Sequence, residues 1–159
     1  MNFFDDSLKT LKDCAKYNTT NLVLDEILVN NSPNNTLCIN KNNTEIQLYV
    51  KGRNFIAMKI ALEMRIYDSN DIPLIIYSPN HQTGFTQIFE QGEFEISADL
   101  QLPQGLSRGR FYADIYLTNP LVEGYVEIIR GLIIESEGYP TETGFVFDYS
   151  KGHGLIYLH

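Results

Sequence analysis

The chain has 159 residues, of which 43% are hydrophobic and 20% are charged, and its formal net charge at neutral pH is -8. This length allows one domain with a sizeable core, and the composition is that of a folded globular chain. The excess of negative charge repels phosphate backbones, so nucleic acid is not expected as a partner. No stretch approaches the roughly 20 apolar residues that span a bilayer, and the first residues lack the basic and apolar regions of a signal peptide.

Cysteines and histidines give no sign of a metal or catalytic centre. Cys14 and Cys38 stand apart, with no CxxC pair and no clustered histidines, so we expect reduced thiols in the cytoplasm rather than a disulfide or a zinc site. Phosphate-binding loop motifs are absent, and none of the three histidines lies in a nucleophile motif. The sequence therefore predicts no cofactor, no metal and no enzymatic activity.

The first 20 residues have a helical pattern. Phe4, Leu8, Leu11 and Ala15 recur at helical spacing, and charged residues lie between them. This spacing predicts a short amphipathic helix over residues 4–16. We therefore divide the chain into residues 1–20, a helix or linker stub, and residues 21–159, the main domain.

Beyond residue 21 the hydrophobic period changes to two, most regularly in residues 56–66, 93–102 and 110–118, as expected for strands with one buried face. The residues predicted to face inward are Ile56, Met58, Ile60, Leu62, Met64 and Ile66, then Phe94, Ile96, Ala98, Leu100 and Leu102, then Phe111, Ala113, Ile115 and Leu117. Those predicted to face outward are Lys59, Glu63, Arg65 and Tyr67, then Glu93, Glu95, Ser97, Asp99 and Gln101, then Tyr112, Asp114, Tyr116 and Thr118.

Weaker strand patterns cover residues 22–29, 45–50, 74–77, 126–135, 144–149 and 155–158, which gives about nine strands in all. Turn residues rich in Gly, Asn, Asp and Pro separate them. The strands are short, each has one polar face, and no long helix follows to cover a second face. The pattern therefore predicts an all-β fold of two antiparallel sheets packed as a sandwich, with a closed barrel as the alternative.

Outward tyrosines are the feature that indicates a ligand. Tyr112, Asp114 and Tyr116 share one face of one predicted strand, and Arg65 and Tyr67 share a face of another. An aromatic ring offers an apolar surface to the C–H face of a sugar, while charged and amide groups bond its hydroxyls. Tyrosine is also enriched at protein interfaces, so a protein-docking or structural sandwich is the alternative.

A third hypothesis is a glycoside hydrolase that acts through Glu93 and Glu95. Residues two apart on one strand face lie roughly 6.5–7 Å apart along the backbone, which is near the separation of an inverting carboxylate pair. Carboxylates on the wet face of a strand are usually solvated, however, and nothing in the sequence indicates a pocket that would raise one pKa. We therefore favour a domain without catalytic activity.

Three motifs resemble a known family. Residues 64–74 read Met-Arg-Ile-Tyr-Asp-Ser-Asn-Asp-Ile-Pro-Leu, residues 102–105 read Leu-Pro-Gln-Gly and lead into Gly-Arg-Phe-Tyr-Ala-Asp-Ile at 109–115, and residues 152–158 read Gly-His-Gly-Leu-Ile-Tyr-Leu. In order and spacing they resemble the C-terminal domain of Wzt-type O-antigen ABC transporter ATPases. The similarity covers residues 21–159.

The resemblance implies an immunoglobulin-like β-sandwich that binds the non-reducing end of a lipid-linked polysaccharide before export. It implies a cytoplasmic location, peripheral to the inner membrane, with the transporter's ATPase and membrane subunits as partners. It also implies a homodimer formed by exchange of the C-terminal strand, residues 155–158. An apolar edge strand after the glycine-flanked His153 agrees with such an exchange, because an unpaired edge requires a partner.

We predict that the glycan site centres on residues 110–118, because side chains two apart on a strand match the repeat of an extended glycan, roughly 6.5–7 Å. Two further residues, Asp99 and Gln101, are candidates for additional hydrogen bonds. The complete predicted set is Tyr112, Asp114, Tyr116, Arg65, Tyr67, Asp99 and Gln101.

Overall fold

A computed structural model describes residues 9–158, and most of them lie in strands. The strands are β1 Lys16–Tyr17, β2 Leu22–Val29, β3 Thr36–Ile39, β4 Glu45–Asn54, β5 Met58–Lys59, β6 Ala61–Tyr67, β7 Pro73–Tyr77, β8 Ile88–Phe89, β9 Gly92–Gln101, β10 Gly109–Asn119 and β11 Glu123–Ser136. One short helix, α1, spans Pro79–Thr83, and 3-10 helices span Lys12–Cys14 and Tyr149–Lys151. None of the described helices is both long and apolar enough to cross a membrane.

The strands form two main sheets. The larger has the order β1-β11-β10-β6-β7, with β3 pairing parallel to β11, and the smaller has the order β2-β4-β9. A two-stranded ribbon, β5-β8, lies outside them. The neighbours within the order of each main sheet are antiparallel, and each sheet has open edges. The predicted antiparallel sandwich is confirmed, and the alternative of a closed barrel is wrong.

The core lies between the inner faces of the two sheets. In β10 the four residues predicted to face inward, Phe111, Ala113, Ile115 and Leu117, are at most 3% exposed. From β9, Phe94 and Ala98 are buried with them. Each large apolar side chain moved from water into this core contributes about 1.5–3 kcal/mol, which sets the register of the strands.

The strand predicted over residues 56–66 is broken into two. Ile56, expected to face inward, is 49% exposed, while the other five residues expected to face inward, from Met58 to Ile66, are buried. The break occurs because β5 pairs with β8, and the N–H of Ile60 donates to the carbonyl of Gln87. The second half, β6, then joins the larger sheet.

The segment expected to be a helix over residues 4–16 lies outside the described residues up to residue 8. From Lys9 onward it is not a continuous α-helix. Leu11 is fully buried, a single 3-10 turn follows, and Ala15 is extended. Lys16 and Tyr17 then pair with β11, so pairing with the sheet edge prevails over the helical pattern of the sequence.

The predicted strands over residues 144–149 and 155–158 do not form. Instead this C-terminal segment bonds to residues 105–108 of its own chain: Arg108 N donates to Phe147 O at 2.8 Å, and Ser107 N to Leu155 O at 2.8 Å. Gly144, Gly152 and Gly154 adopt left-handed φ angles of 82°, 78° and 81°. These conformations interrupt extended structure and break the segment into isolated bridges.

One glycine in the smaller sheet gives a prediction on stability. A Cβ added at Gly52 would lie 2.7 Å from Phe94 Cζ and closer still to the carbonyl oxygen of Val23. Gly52→Ala is therefore expected to lower the free energy of unfolding by about 1–2 kcal/mol, measured by urea denaturation. Gly124→Ala is the control, because its nearest neighbour would be 3.8 Å away. Equal effects of the two changes would contradict this account.

Candidate functional site

Strand register brings five of the seven predicted residues together. Tyr112 of β10 lies opposite Tyr67 of β6, and Asp114 lies opposite Arg65. Tyr116 is two residues further along β10, opposite Glu63. Since side chains two apart share one side of a strand, all of them belong to the outer face of the larger sheet. We call this surface the tyrosine face, after Tyr67, Tyr112 and Tyr116.

The other two predicted residues lie elsewhere. Asp99 and Gln101 are exposed on β9 in the smaller sheet, which packs against the other side of the core. Gln101 Nε2 donates to Thr44 Oγ1 at 2.9 Å. Both residues therefore lie on the opposite sheet from the tyrosine face. The sequence did not predict this, because alternation along a strand shows which side of the strand is buried but not which sheet the strand joins.

Asp114 was predicted to face solvent, yet it is only 3% exposed. Its Oδ1 accepts hydrogen bonds from the backbone N–H and Nη1 of Arg130 at 2.7 and 3.0 Å, and its Oδ2 accepts from Tyr116 Oη at 2.8 Å. Burial, followed by the hydrogen bond to Asp114, raises the pKa of Tyr116, so this phenol stays protonated and donates. Asp114 therefore holds Arg130 and Tyr116 in position from beneath the face, and these two side chains cover it.

A bulge in β11 explains how Arg130 reaches Asp114. Ala113 pairs with Leu132 and Ile115 pairs with Ile128, so residues 129–131 all lie opposite Asp114. Within the bulge Arg130 has a left-handed φ of 52°, which is rare for a side chain of this size. The side chain of Arg130 consequently folds back over the sheet.

Arg130 is the central residue of the face, although it is not among the residues predicted from the sequence. Its guanidinium carbon lies 3.6 Å from the centroid of the Tyr67 ring. Its Nε and Nη2 lie 3.0 and 2.9 Å from Asp71 Oδ1, and its Nη1 lies 3.0 Å from Asp114 Oδ1. Two carboxylates and one aromatic ring therefore fix a single guanidinium. The one sequence signal was an Arg-Gly pair that interrupts the apolar run of β11.

A second ion pair covers Tyr116. Arg65 Nε and Nη2 lie 3.0 and 2.9 Å from Glu63 Oε2, and the Arg65 guanidinium carbon is 5.5 Å from the Tyr116 ring centroid. Glu63 was predicted to face outward but is only 8% exposed. His81 of α1 lies 3.7 Å from Glu63 Oε1. These residues border an open depression of about 330 Å³ beside the β10–β11 hairpin.

Tyr112 differs from the other two tyrosines. It is half-buried, and among the described residues no guanidinium stacks on its ring, whereas Arg130 and Arg65 cover Tyr67 and Tyr116. The Tyr112 ring is consequently the part of the face best placed to contact the apolar side of a sugar.

The β6–β7 turn fixes the position of Asp71, and a hydrogen bond from the C-terminal segment stabilises the turn. Asp68 Oδ1 accepts from Asn70 N and Ile72 N at 2.8 and 2.9 Å, and its Oδ2 accepts from Tyr149 Oη at 2.9 Å. The Ile72 N–H and then the Tyr149 hydroxyl lower the pKa of Asp68, against the effect of burial. The turn therefore presents Asp71, at a φ of 63°, to Arg130.

The groups on the face can contact a ligand by ring stacking and by hydrogen bonding. It carries aromatic rings, paired guanidiniums and carboxylates held by hydrogen bonds. Within residues 9–158 there is no group of three or more His, Cys, Asp or Glu side chains that could hold a metal ion. Glu93 and Glu95, the hydrolase candidates, are exposed on β9 in the other sheet, so they are not part of this face.

The two packed antiparallel sheets define an immunoglobulin-like β-sandwich. Its fold is that of the C-terminal domain of Wzt, whose crystal structure superposes with a TM-score of 0.54 at 10% identity and covers 91% of this chain and 84% of that chain. The resemblance inferred from the three motifs is confirmed at the level of the fold.

Two other solved structures are more distant. The CARDB domain of a Pyrococcus furiosus protein in complex with di-metal ions has a TM-score of 0.37 at 14% identity, and covers 86% of this chain and 99% of that chain. The periplasmic chaperone SfaE has a TM-score of 0.35 at 13% identity, with 76% and 60% covered. No family model matches the sequence. No curated protein matches it either.

Proposed function

We propose that this chain is a non-catalytic carbohydrate-binding domain that recognises the non-reducing end of a lipid-linked O-antigen or similar surface polysaccharide. In this role it gives an ABC exporter its substrate specificity. The observation that carries the proposal is the tyrosine face, where Tyr67, Tyr112 and Tyr116 are gathered on one open sheet surface of a Wzt-like sandwich. Polar side chains, fixed by ion pairs and hydrogen bonds within the same chain, surround the three tyrosine rings.

The arrangement suits a sugar for two reasons. The half-buried ring of Tyr112 offers a flat apolar surface to the C–H groups of a pyranose, while exposed carboxylates such as that of Asp71 accept bonds from its hydroxyls. The ion pairs of Arg65 and Arg130 also fix these side chains before binding. Preorganised side chains lose less conformational entropy when the ligand arrives, which favours affinity on an open surface.

Calorimetry with the purified surface polysaccharide of the organism that encodes the chain tests the proposal. We expect binding to the intact polysaccharide and loss of binding after exoglycosidases have trimmed its non-reducing end. A polysaccharide with an unrelated repeat is the control. Equal binding to trimmed and intact chains would contradict recognition of the end, and an absence of binding to both would contradict glycan recognition itself.

The alternative is a protein-docking or structural sandwich without glycan binding. Exposed apolar side chains favour it, chiefly Leu121 and Val122 at the tip of the β10–β11 hairpin, which are 85% and 72% exposed. Aspartate substitutions at these two positions would abolish docking through the tip, whereas a glycan held by the Tyr112 ring would still bind, since Tyr112 does not line the depression beside the tip. The same calorimetric experiment on this variant therefore separates the two functions.

The cellular setting follows from the same proposal. A domain that binds lipid-linked polysaccharide before export acts in the cytoplasm, peripheral to the inner membrane. Its partners are the ATPase and membrane subunits of the exporter. Co-purification of these subunits with the tagged chain, and its loss when the exporter genes are deleted, would support this placement.

Homodimer formation by exchange of the C-terminal segment is part of the proposal and gives a further prediction. The own-chain bonds of Leu155 and Tyr157 to residues 105–107 are those that a partner's segment could replace. Deletion of residues 154–159 is therefore expected to convert a dimer into a monomer on light scattering, with circular dichroism as the check on folding. A dimer that persisted after the deletion would contradict the exchange.

A further inference from the structure

We infer that the tyrosine face selects an uncharged sugar, because carboxylates of the same chain already neutralise its guanidinium groups. The inference rests on the proposed function and concerns the chemistry of the ligand at that site. Three arginines lie on or beside the face: Arg65, Arg110 and Arg130. Each is paired within the chain, to Glu63, Glu135 and the two aspartates Asp71 and Asp114.

The Arg130 pairing is the hardest to open. The side chain of Asp114 is only 4% exposed and that of Arg130 is 29% exposed. An anionic ligand that drew Arg130 away would leave the Asp114 carboxylate buried without its cation, which is strongly unfavourable. Asp71 is 74% exposed, but the β6–β7 turn fixes it, so its negative charge would stay beside the incoming anion.

Arg65 is limited in a similar way. Its carboxylate partner, Glu63, has a side chain only 11% exposed, whereas Arg65 itself is 44% exposed. Pairing Arg65 with a ligand anion would therefore leave Glu63 without its main counterion in a poorly solvated position. The pair of Arg110 and Glu135 is more open, with exposures of 59% and 46%, and lies at the end of the face beyond Tyr112.

The charged side chains around the tyrosines include one more anion than cations. Register and ion pairing place four cationic and five anionic side chains here: Lys16, Arg65, Arg110 and Arg130 against Glu63, Asp71, Asp114, Glu127 and Glu135. The whole chain carries a net charge of -8. An acidic glycan is therefore repelled both by the side chains around the tyrosines and by the net charge of the whole chain. A neutral glycan instead contacts rings, guanidinium planes and carboxylate acceptors.

The test uses the purified surface polysaccharide of the organism that encodes the chain, before and after carboxyl reduction and dephosphorylation, which remove its charges. We expect the uncharged form to bind at least as tightly as the native form, with less than about a threefold change in affinity between about 20 mM and about 500 mM NaCl. Loss of binding on removal of the charges, or an affinity that falls about tenfold with salt, would overturn the inference. If neither form binds, the proposed function itself fails.

Asp71→Asn provides a second, independent measurement. Asparagine tolerates the left-handed conformation of this position, and Asp114 remains to pair with Arg130. We expect affinity for an acidic probe, the same polysaccharide after mild oxidation of its primary hydroxyls to carboxylates, to rise about fivefold or more relative to affinity for the uncharged form. Asp25→Asn, whose carboxylate pairs with Arg53 in the other sheet, is the matched control. An unchanged affinity of Asp71→Asn for the acidic probe would count against the inference.

Discussion

Replacing Tyr112 with alanine is expected to weaken glycan binding at least about tenfold, which corresponds to about 1.4 kcal/mol. Hydrogen bonds to sugar hydroxyls replace bonds to water and contribute little net free energy, about 0.5–1.5 kcal/mol each, so aromatic contacts dominate affinity. Tyr112 is the tyrosine on which no guanidinium stacks within the described chain. Because its ring points away from the core, the variant should remain folded, which circular dichroism checks.

Three comparisons sharpen this measurement. Tyr116→Ala is also expected to weaken binding, but its loss includes the hydrogen bond to Asp114, so Tyr116→Phe separates the ring from the hydroxyl. Tyr49→Ala, on β4 of the smaller sheet, is the control that should bind normally. If the alanine variants of Tyr112 and Tyr116 both bound glycan normally while folded, the site would lie elsewhere, in the loop at residues 81–86 or on the opposite sheet.

Asp114→Ala is expected to lower the free energy of unfolding by about 3 kcal/mol, measured by urea denaturation. The change removes the acceptor of three hydrogen bonds and leaves Arg130 Nη1 and the backbone N–H of the bulge without their acceptor, although Asp71 still pairs with the rest of the guanidinium. The energetic reason is the asymmetry of buried pairs, in which the loss of one member leaves the other desolvated and unpaired.

A surface aspartate provides the reference for that experiment. Asp99→Ala, on the exposed face of β9, should change the unfolding free energy by less than about 0.5 kcal/mol. If Asp114→Ala cost no more than Asp99→Ala, the network beneath the tyrosine face would contribute no stability. The double variant in which Arg130 is also replaced by methionine should recover part of the loss, because the only charge left unpaired is then that of Asp71, which is exposed to solvent.

Periodicity predicted the parts of the fold in which each strand has one buried face. β2 spans the predicted residues 22–29, and the inward residues of β10 are those that alternation assigned. The grouping of Tyr67 with Tyr112 could be anticipated because both strands carry outward aromatic residues. The alternation of apolar and polar residues depends only on neighbours in the sequence, so it is kept when the strand joins a sheet.

Other features depend on contacts between distant parts of the chain. Arg130 reaches Asp114 through a bulge with two additional residues, which no regular period encodes. Glu63 and Asp114 occupy outward positions and are nevertheless buried, because arginines and tyrosines from the same face cover them. β3, within the Asn-rich segment, was missed because its partner is a parallel strand nearly 100 residues later in the chain.

The motifs that carried the family resemblance are in contact with each other. Gly105 O accepts from Tyr157 N, and Ser107 Oγ donates to Gly154 O, so the Leu-Pro-Gln-Gly segment and the C-terminal motif meet at one end of the sandwich. The motif at residues 64–74 pairs with residues 112–115 of the second motif through β6 and β10, and its Asp68 bonds Tyr149, three residues before the C-terminal motif. Short motifs that are weak individually were informative together because they build one structural junction.

The hydrogen bond between Tyr149 and Asp68 determines how many ligand sites a dimer with exchanged C-terminal segments would contain. Tyr149 precedes Gly152 and Gly154, whose left-handed conformations make them the natural pivot of the C-terminal segment. A segment that crossed to a neighbour beyond this pivot would leave Tyr149, the β6–β7 turn and Arg130 together in one subunit. Each subunit would then carry a complete ligand site made from its own chain, and a dimer would hold two polysaccharide ends at once, with the gain in avidity that two linked sites provide.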